Sequence, residues 1–128
     1  MKKFLFYWLP PIVWMGIIFF LSSRQRIGIS EIYIYNFVFF KTLHMIEYAM
    51  LFFMLFRAIH KTFNKLSQTH ALILAMILAL LYGITDEFHQ TFVPTREGSI
   101  RDVGIDSIGI LLCFQYTKYN LSRLQLFL

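Results

Sequence analysis

Charged residues are scarce in this sequence: they make up 15% of its 128 residues, whereas soluble domains carry about a quarter. Hydrophobic residues account for 58% of the chain. This balance excludes an ordinary soluble domain and predicts a single integral membrane domain over residues 1–128. The net charge of +5 does not indicate a nucleic-acid partner, because the basic residues form no stripe and the aromatic residues lie inside apolar runs.

Cysteine and recognisable catalytic motifs are nearly absent as well. The single cysteine, Cys113, excludes a disulfide within the chain. No H-E-x-x-H motif occurs, and no serine or cysteine lies in a known nucleophile motif. Histidine and carboxylate side chains suit divalent metals, but their spacing here matches no metal motif, so we predict no metal site and name no cofactor.

Long apolar runs are what the chain does contain. They predict an all-α membrane bundle of four transmembrane helices at about residues 4–21, 32–56, 71–92 and 100–119. We interpret the first as a retained helix kinked at Pro10 and Pro11, because it lacks the A-x-A cleavage site of a signal peptide. The third has only 14 uninterrupted apolar residues, 71–84, about 21 Å of helix, so residues 86–90 should continue it.

Turn-forming residues separate the third and fourth predicted helices. Pro94 and Gly98 interrupt the helical pattern. Ser99 is the expected N-cap of the fourth helix, with Asp102 as its capping-box partner.

The distribution of basic residues predicts the orientation of the helices. With four crossings both termini lie on one side, which then holds seven basic residues and no acidic ones. The other side holds five basic residues and all seven acids. The positive-inside rule therefore predicts a multi-pass membrane protein with both termini in the cytoplasm.

Ionisable residues interrupt the last three helices at helical spacing. In the second helix they follow the pattern i, i+3, i+6, i+7, and in the fourth two acids and Gly109 follow i, i+4, i+7. Under the predicted topology all of them lie in the outer half of the bilayer, where an exposed charge is costly. They should therefore turn inward and meet in one pocket open to the outer leaflet. The predicted pocket residues are Lys41, His44, Glu47, Tyr48, Asp86, Glu87, His89, Gln90, Arg96, Asp102 and Asp106.

For single residues the simpler interpretation is polar pairing at helix ends. We interpret Arg24, Arg26, Glu31 and Glu97 in this way, and Lys41 taken alone as a lysine that snorkels to the interface. The pocket acids as a set, Glu47, Asp86, Glu87, Asp102 and Asp106, have few cations nearby, which favours function over structural pairing. Arg96, with Lys41 and Arg101, would clamp a phosphate or carboxylate.

The same residues follow an order that is typical of a known family. The segments FLSSR, KTLHMIEYAMLFFMLFR and DEFHQTFVPTREGSIRDVGIDSIG resemble the VanZ-like family of bacterial membrane proteins. The matching features are two serines after the first helix, Lys-x-x-His-x-x-x-Tyr, Asp-Glu-x-x-Gln, Pro-x-Arg and Asp-x-x-x-Asp, over about residues 11–112. One departure is Thr95, where the family often has glycine.

The resemblance has implications for site, location and role. It implies functional positions at Lys41, His44, Tyr48, Asp86, Glu87, Gln90, Arg96, Asp102 and Asp106, whereas Glu47 and His89 are predicted from helix geometry alone. It implies a location in the bacterial cell membrane and a role in the cell envelope. The founding member of the family is associated with resistance to teicoplanin, a lipoglycopeptide antibiotic.

Three functions are compatible with such a pocket. The first is binding of an anionic envelope lipid, with a lipid-linked cell-wall precursor or the lipoglycopeptide as further partners. The second is an intramembrane hydrolase or transferase that acts on such a lipid. The third is a small proton-coupled transporter subunit, which four helices could form only as an oligomer.

Overall fold

The computed structural model describes residues 2–24, 31–96, 98–124 and 127, and all regular secondary structure within these ranges is helical. The helices are α1 (Lys2–Ser22), α2 (Tyr33–Thr62), α3 (Gln68–Gln90), α4 (Ile100–Tyr119) and the short α5 (Leu121–Leu124). The prediction of an all-α fold is therefore confirmed. Arg26 and Glu97, both predicted to be interfacial, lie outside the described residues.

Three of these helices are long and apolar enough to cross a membrane: Phe4–Ser22, Tyr33–Thr62 and Gln68–Gln90. Helix α4 has sufficient length at 20 residues, but any 18-residue stretch of it includes at least three charged side chains, from Arg101, Asp102, Asp106 and Lys118. Of the four predicted membrane-crossing helices, three are therefore supported. Helix α4 is not, because its composition is too polar to qualify.

Helix α2 is the centre of the bundle and packs against α1, α3 and α4, while α3 also packs against α4. Leu51, Phe52, Phe56 and Ile59 on α2 are fully buried. Alanines at four-residue spacing on α3 (Ala71, Ala75 and Ala79) are fully buried too. Small side chains let helices approach closely, which is how helices associate where lipid provides no hydrophobic driving force.

A glycine sets the distance between α4 and α2. A Cβ atom added at Gly109 would lie 2.2 Å from the carbonyl oxygen of Met45, so the two backbones are in direct contact there. Asp102 and Asp106 lie seven and three residues before Gly109 and share its helix face. The close approach therefore turns both aspartates toward α2 and not toward lipid.

The helix boundaries differ from the sequence-based ones mainly at polar residues. Helix α1 runs through Pro10 and Pro11 without interruption. Helix α2 continues to Thr62, past the predicted end at residue 56, and buries Ala58 and Ile59. The last turn of α2 contains His60 and Lys61. Basic side chains are favourable at the negative, C-terminal end of a helix dipole, so the helix continues through these residues and does not end before them.

The start of α4 corrects one predicted detail. Ser99 is the N-cap, as predicted, and its hydroxyl accepts a 3.2 Å hydrogen bond from the backbone N–H of Asp102. The predicted capping box is wrong, because the N–H of Ser99 donates at 3.2 Å to Glu87 Oε2 and not to the Asp102 side chain. Glu87 thereby ties the start of α4 to the end of α3.

Candidate functional site

Polar side chains from four helices meet at one end of the bundle. This group, called the polar cluster below, consists of Ser22 from α1, Lys41, His44, Glu47 and Tyr48 from α2, Asp86, Glu87 and Gln90 from α3, and Asp102 and Asp106 from α4. All except Glu47, which is partly exposed, are buried. The end of α1, the first half of α2, the end of α3 and the start of α4 thus supply a shared polar interior.

Asp86 is the hub of the polar cluster. Its Oδ2 atom accepts three hydrogen bonds, from Ser22 Oγ at 2.8 Å, Tyr48 OH at 2.9 Å and Gln90 Nε2 at 2.9 Å. Because the three donors lie on α1, α2 and α3, a single carboxylate oxygen holds three helices together. Ser22 was not among the predicted site residues. The signal for it was present in the two serines that end the first apolar run.

Lys41 and Asp102 form a buried ion pair. The Nζ atom of Lys41 lies 2.7 Å from Asp102 Oδ2, and each side chain is 6% exposed. The interpretation of Lys41 as a snorkelling lysine is therefore wrong: its ammonium turns into the bundle because an aspartate on α4 offers a charged partner there. Arg101 Nε lies 3.7 Å from the other oxygen of Asp102, and the Arg101 side chain is 69% exposed.

Several buried carboxylate oxygens have no hydrogen-bond partner among the described residues. They are Asp86 Oδ1, Glu87 Oε1, Asp102 Oδ1 and both oxygens of Asp106. Lys41 is the one lysine or arginine that is buried in the described part of the chain. Most buried polar atoms in native proteins are hydrogen-bonded, and an unmet acceptor costs about 1–3 kcal/mol. The polar cluster is therefore short of donors and of positive charge.

Asp106 is the extreme case within the polar cluster. It is 1% exposed, and Glu87, Lys41, Asp102 and Asp86 all lie within electrostatic range of it. Three of these four neighbours are acids. The position favours an added donor or cation over a further acceptor.

His44 and Glu47 lie at the edge of the polar cluster. His44 Nδ1 is 3.8 Å from Glu47 Oε2, and the His44 ring is stacked with the ring of Tyr48, with 6.4 Å between centroids. Glu47 also interacts electrostatically with Asp86 and Arg96. Among the acids of the polar cluster on α2 and α3, Glu47 is the most exposed.

Arg96 fastens the turn after α3 to the end of α1. Its Nε and NH2 groups donate at 2.9 Å to the backbone carbonyls of Arg24 and Leu21, and NH1 donates to Gln90 Oε1 at 3.4 Å. The last carbonyls of a helix lack partners within the helix, so the guanidinium satisfies part of the C-terminus of α1. The residue predicted to clamp an anion therefore has a structural task.

His89 lies outside the polar cluster. Its ring packs against Phe19, with 4.6 Å between centroids, and its Nε2 lies 3.0 Å from Ser23 Oγ. Helix α3 directs this side chain toward α1, whereas Asp86 and Gln90 on the neighbouring face point to the interior. Of the predicted interfacial residues, Arg24 is exposed and stacks over Phe20, and Glu31 is exposed.

Helix α4 lines a cavity on each of two sides. One of about 220 Å³ lies between α3 and α4, and it is lined by Ile84, Glu87, Phe88, Thr91, Gly98, Ser99, Ile100 and Val103. Glu87 is the member of the polar cluster at its wall. The other, of about 370 Å³, lies between α2 and α4 and is lined mainly by apolar side chains such as Met50, Phe53 and Cys113. The predicted single pocket is thus a closed cluster with Glu87 facing a cavity.

The carboxylates and histidines of the described ranges do not form a metal centre. No three or more His, Cys, Asp or Glu side chains there are placed to hold a metal ion. The chemistry available in the polar cluster is hydrogen bonding, ion pairing and proton exchange.

Comparison with known proteins identifies the family. A model of the VanZ/LLP1 family matches residues 4–119, a range that includes every residue of the polar cluster. No curated protein and no solved structure matches the chain significantly. Because the match spans α1 to α4 without interruption, the chain belongs to the VanZ/LLP1 family.

Proposed function

We propose that this protein binds an anionic envelope lipid at the end of the bundle that carries the polar cluster. The observation that supports this is the set of buried carboxylate oxygens without donors among the described residues, at the end of the bundle that also carries the exposed arginines Arg24 and Arg101. Arginine guanidinium groups hydrogen-bond phosphate with a fixed geometry. The arginines would hold the phosphate, and the donors of the headgroup would face the acids.

We propose an orientation that puts this lipid-binding end on the outer side of the membrane. Lys61 and Lys65 lie at the opposite end of α2 and in the loop after it, and basic loops favour the cytoplasm. Helix α4, about 30 Å long, would be the fourth crossing, because Asp102 and Asp106 are buried inside the bundle and not exposed to lipid. Both termini are then cytoplasmic.

Cysteine labelling tests this orientation. In a Cys113→Ser background, a cysteine introduced at Thr95 should react with an impermeant reagent added outside intact cells. A cysteine introduced at Asn64 should react only after the membrane is opened. Both positions are exposed, so accessibility within the fold is matched. The reverse pattern would refute the outward position of the polar cluster.

Lipid binding is tested by native mass spectrometry of the protein extracted from membranes. The double variant Arg24→Gln/Arg101→Gln should lose most of a co-purified anionic lipid, because both charges that face the phosphate are removed. Arg123→Gln is the matched control, since Arg123 is exposed beyond α4 at the other end of the bundle. Equal lipid content in all three proteins would refute the proposal.

The envelope role is tested through teicoplanin susceptibility in a host that expresses the chain. The lipoglycopeptide and its lipid-linked cell-wall precursor are the partners that family resemblance suggests. Asp86→Asn should abolish any protection, because Asp86 Oδ2 organises α1, α2 and α3. Glu31→Gln, an exposed acid outside the polar cluster, should retain it. Protection that survives Asp86→Asn at normal expression would exclude the polar cluster from this role.

One observation favours a second candidate, a hydrolase or transferase that acts on the bound lipid. Glu87 faces a cavity of about 220 Å³, and its Oε1 atom has no hydrogen-bond partner among the described residues. A carboxylate in that situation suits a general base. Incubation of the purified protein with the co-purified lipid decides between them: an unchanged lipid mass supports binding, and a changed headgroup mass supports catalysis.

A further inference from the structure

We propose that the cavity between α3 and α4 binds a primary ammonium group, with Glu87 as its direct partner and Asp106 as the charge behind it. The inference rests on the proposed function, because it adds an ammonium group to the anionic phosphate that Arg24 and Arg101 would hold in the lipid headgroup. The ammonium belongs either to an aminated phospholipid or to a free amine.

Glu87 lines this cavity, and its carboxylate has one acceptor without a donor among the described residues. Its Oε2 atom accepts a hydrogen bond from the backbone N–H of Ser99, which fixes the carboxylate in place. Its Oε1 atom has no hydrogen-bond partner among the described residues, although the residue is only 3% exposed. The carboxylate is therefore anchored at the cavity wall, and one of its oxygens lacks the donor that a buried acceptor requires.

Asp106 adds a second, independent reason for a cation at this place. Both of its oxygens lack hydrogen-bond partners in the described part of the chain, and the side chain is 1% exposed. Glu87 stands first among the charged groups that act on Asp106. Lys41 already pairs with Asp102 at 2.7 Å, so its positive charge neutralises Asp102 and is less available to offset the charge of Asp106. A cation bound at Glu87 would offset the repulsion between Glu87 and Asp106.

The size and walls of the cavity fit an aminoethyl group. Its volume of about 220 Å³ exceeds the ~30 Å³ that a water molecule occupies in the liquid several-fold. The apolar walls, Ile84, Phe88, Ile100 and Val103, suit a methylene linker. The polar end of the group would then meet Glu87, and the phosphate would remain at the arginines outside.

A primary ammonium fits better than a metal ion. It carries three N–H donors and needs no preformed coordination sphere. Metal ions require several ligands at short distances, and no three His, Cys, Asp or Glu side chains of the described ranges are placed for that. A quaternary ammonium carries charge but no N–H donor, so it would leave Glu87 Oε1 without a hydrogen bond.

The first test compares lipids on the unaltered full-length protein. The protein is placed in nanodiscs of phosphatidylglycerol alone, or of phosphatidylglycerol mixed with either phosphatidylethanolamine or phosphatidylcholine of the same acyl chains, and Tm is measured. Phosphatidylethanolamine should raise Tm by about 3–6 °C relative to both others, because a ligand that binds only the folded state stabilises it. Equal Tm with phosphatidylcholine would refute the need for N–H donors.

Additional arms distinguish the source of the amine. In phosphatidylglycerol nanodiscs, millimolar ethanolamine added to the buffer should reproduce the rise in Tm if a free amine enters the cavity, and should fail if only the lipid headgroup reaches it. Choline chloride controls for ionic strength. In a further arm, sodium chloride is added at the same concentration. If it raised Tm as much as ethanolamine does, the site would bind an inorganic cation and the proposal would be overturned.

Two variants test the assignment to residues. Glu87→Gln and Asp106→Asn should each remove the phosphatidylethanolamine increment in Tm, whereas Glu31→Gln should retain it. An increment that persists in both cavity variants would overturn the proposal. If a variant does not fold, the lipid comparison on the unaltered protein still decides.

The outcomes separate this inference from the proposed function. If the protein retains anionic lipid through Arg24 and Arg101 but shows no preference for an aminated headgroup, lipid binding stands and the ammonium site is wrong. If no lipid co-purifies and no nanodisc composition changes Tm, both fail.

Discussion

Helix α2 passes through two environments. Around Lys41, His44 and Tyr48 its buried neighbours are polar, whereas around Phe52 and Phe56 they are almost all carbon. The apolar half is filled by side chains that satisfy one another through packing alone. The polar half instead buries carboxylate oxygens that have no partner among the described residues. The contrast indicates that packing in the apolar half stabilises the fold, whereas the unpaired acceptors of the polar half lower the free energy of unfolding.

The difference is sharpest between neighbouring acids on α4. Asp102 and Asp106 are one helical turn apart and both are buried. Asp102 has a lysine at 2.7 Å, whereas neither oxygen of Asp106 has a hydrogen-bond donor in the described ranges. Stability alone would favour a neutral or apolar residue at position 106. The ammonium group proposed above would supply the positive charge that Asp106 does not receive from the described residues.

Phe52→Ala should produce the largest loss and would break the apolar half. Phe52 is fully buried and packs against Phe114, with 6.1 Å between ring centroids. Removal of a buried phenylalanine ring leaves a cavity and costs about 4 kcal/mol. The free energy of unfolding, measured by detergent titration in mixed micelles, reports this loss. Phe39→Ala is the control, because Phe39 is 49% exposed and should lose little; equal losses would show that burial in this structure does not decide packing energy.

Lys41→Met should destabilise the polar half by about 3 kcal/mol, because it leaves the Asp102 carboxylate buried without its partner. Methionine keeps the length of the side chain, so the effect comes from charge and not from volume. The same titration measures it. Lys61→Met on the exposed far end of α2 should change the free energy of unfolding by less than about 0.5 kcal/mol. A result for Lys41→Met as small as that would mean the ion pair does not persist in the membrane.

Asp106→Asn should have the opposite sign to Asp102→Asn. In micelles without aminated lipid, Asp106→Asn should stabilise the fold by about 1–2 kcal/mol, because the amide offers N–H donors to the surrounding acids where the aspartate buries two acceptors without donors among the described residues. Asp102→Asn should destabilise it, since the Lys41 ammonium then loses its charged neighbour. Equal losses in both variants would contradict the distinction between a paired and an unpaired acid.

Thr95→Gly should have the smallest effect, a gain of up to about 1 kcal/mol. Thr95 has a φ of 69°, the left-handed region that a β-branched residue adopts at a cost and glycine adopts freely. Thr91→Gly is the matched control: Thr91 has a φ of −62°, so glycine there should destabilise. Stability unchanged or lowered by Thr95→Gly would mean that other contacts of Thr95 outweigh the strain.

Several local features could be predicted because they depend on nearby residues. The spacing of Asp102, Asp106 and Gly109 predicted a common face, and Ser99 predicted a cap. Each of these follows from helix periodicity or from the chemistry of one residue next to a helix end.

The sequence by itself therefore determined that the chain is helical and largely apolar, and which polar residues share a helix face. It predicted four membrane-crossing helices, of which three are long and apolar enough in the structure. Only the tertiary structure decided the partners. Lys41 pairs with Asp102, Ser22 donates to Asp86, Arg96 donates to the end of α1, and the N–H of Ser99 donates to Glu87. The physical reason is that periodicity sets the direction of a side chain on its own helix. Which of several acceptors a donor meets depends instead on how closely the helices approach one another. Residues such as Gly109 control that distance.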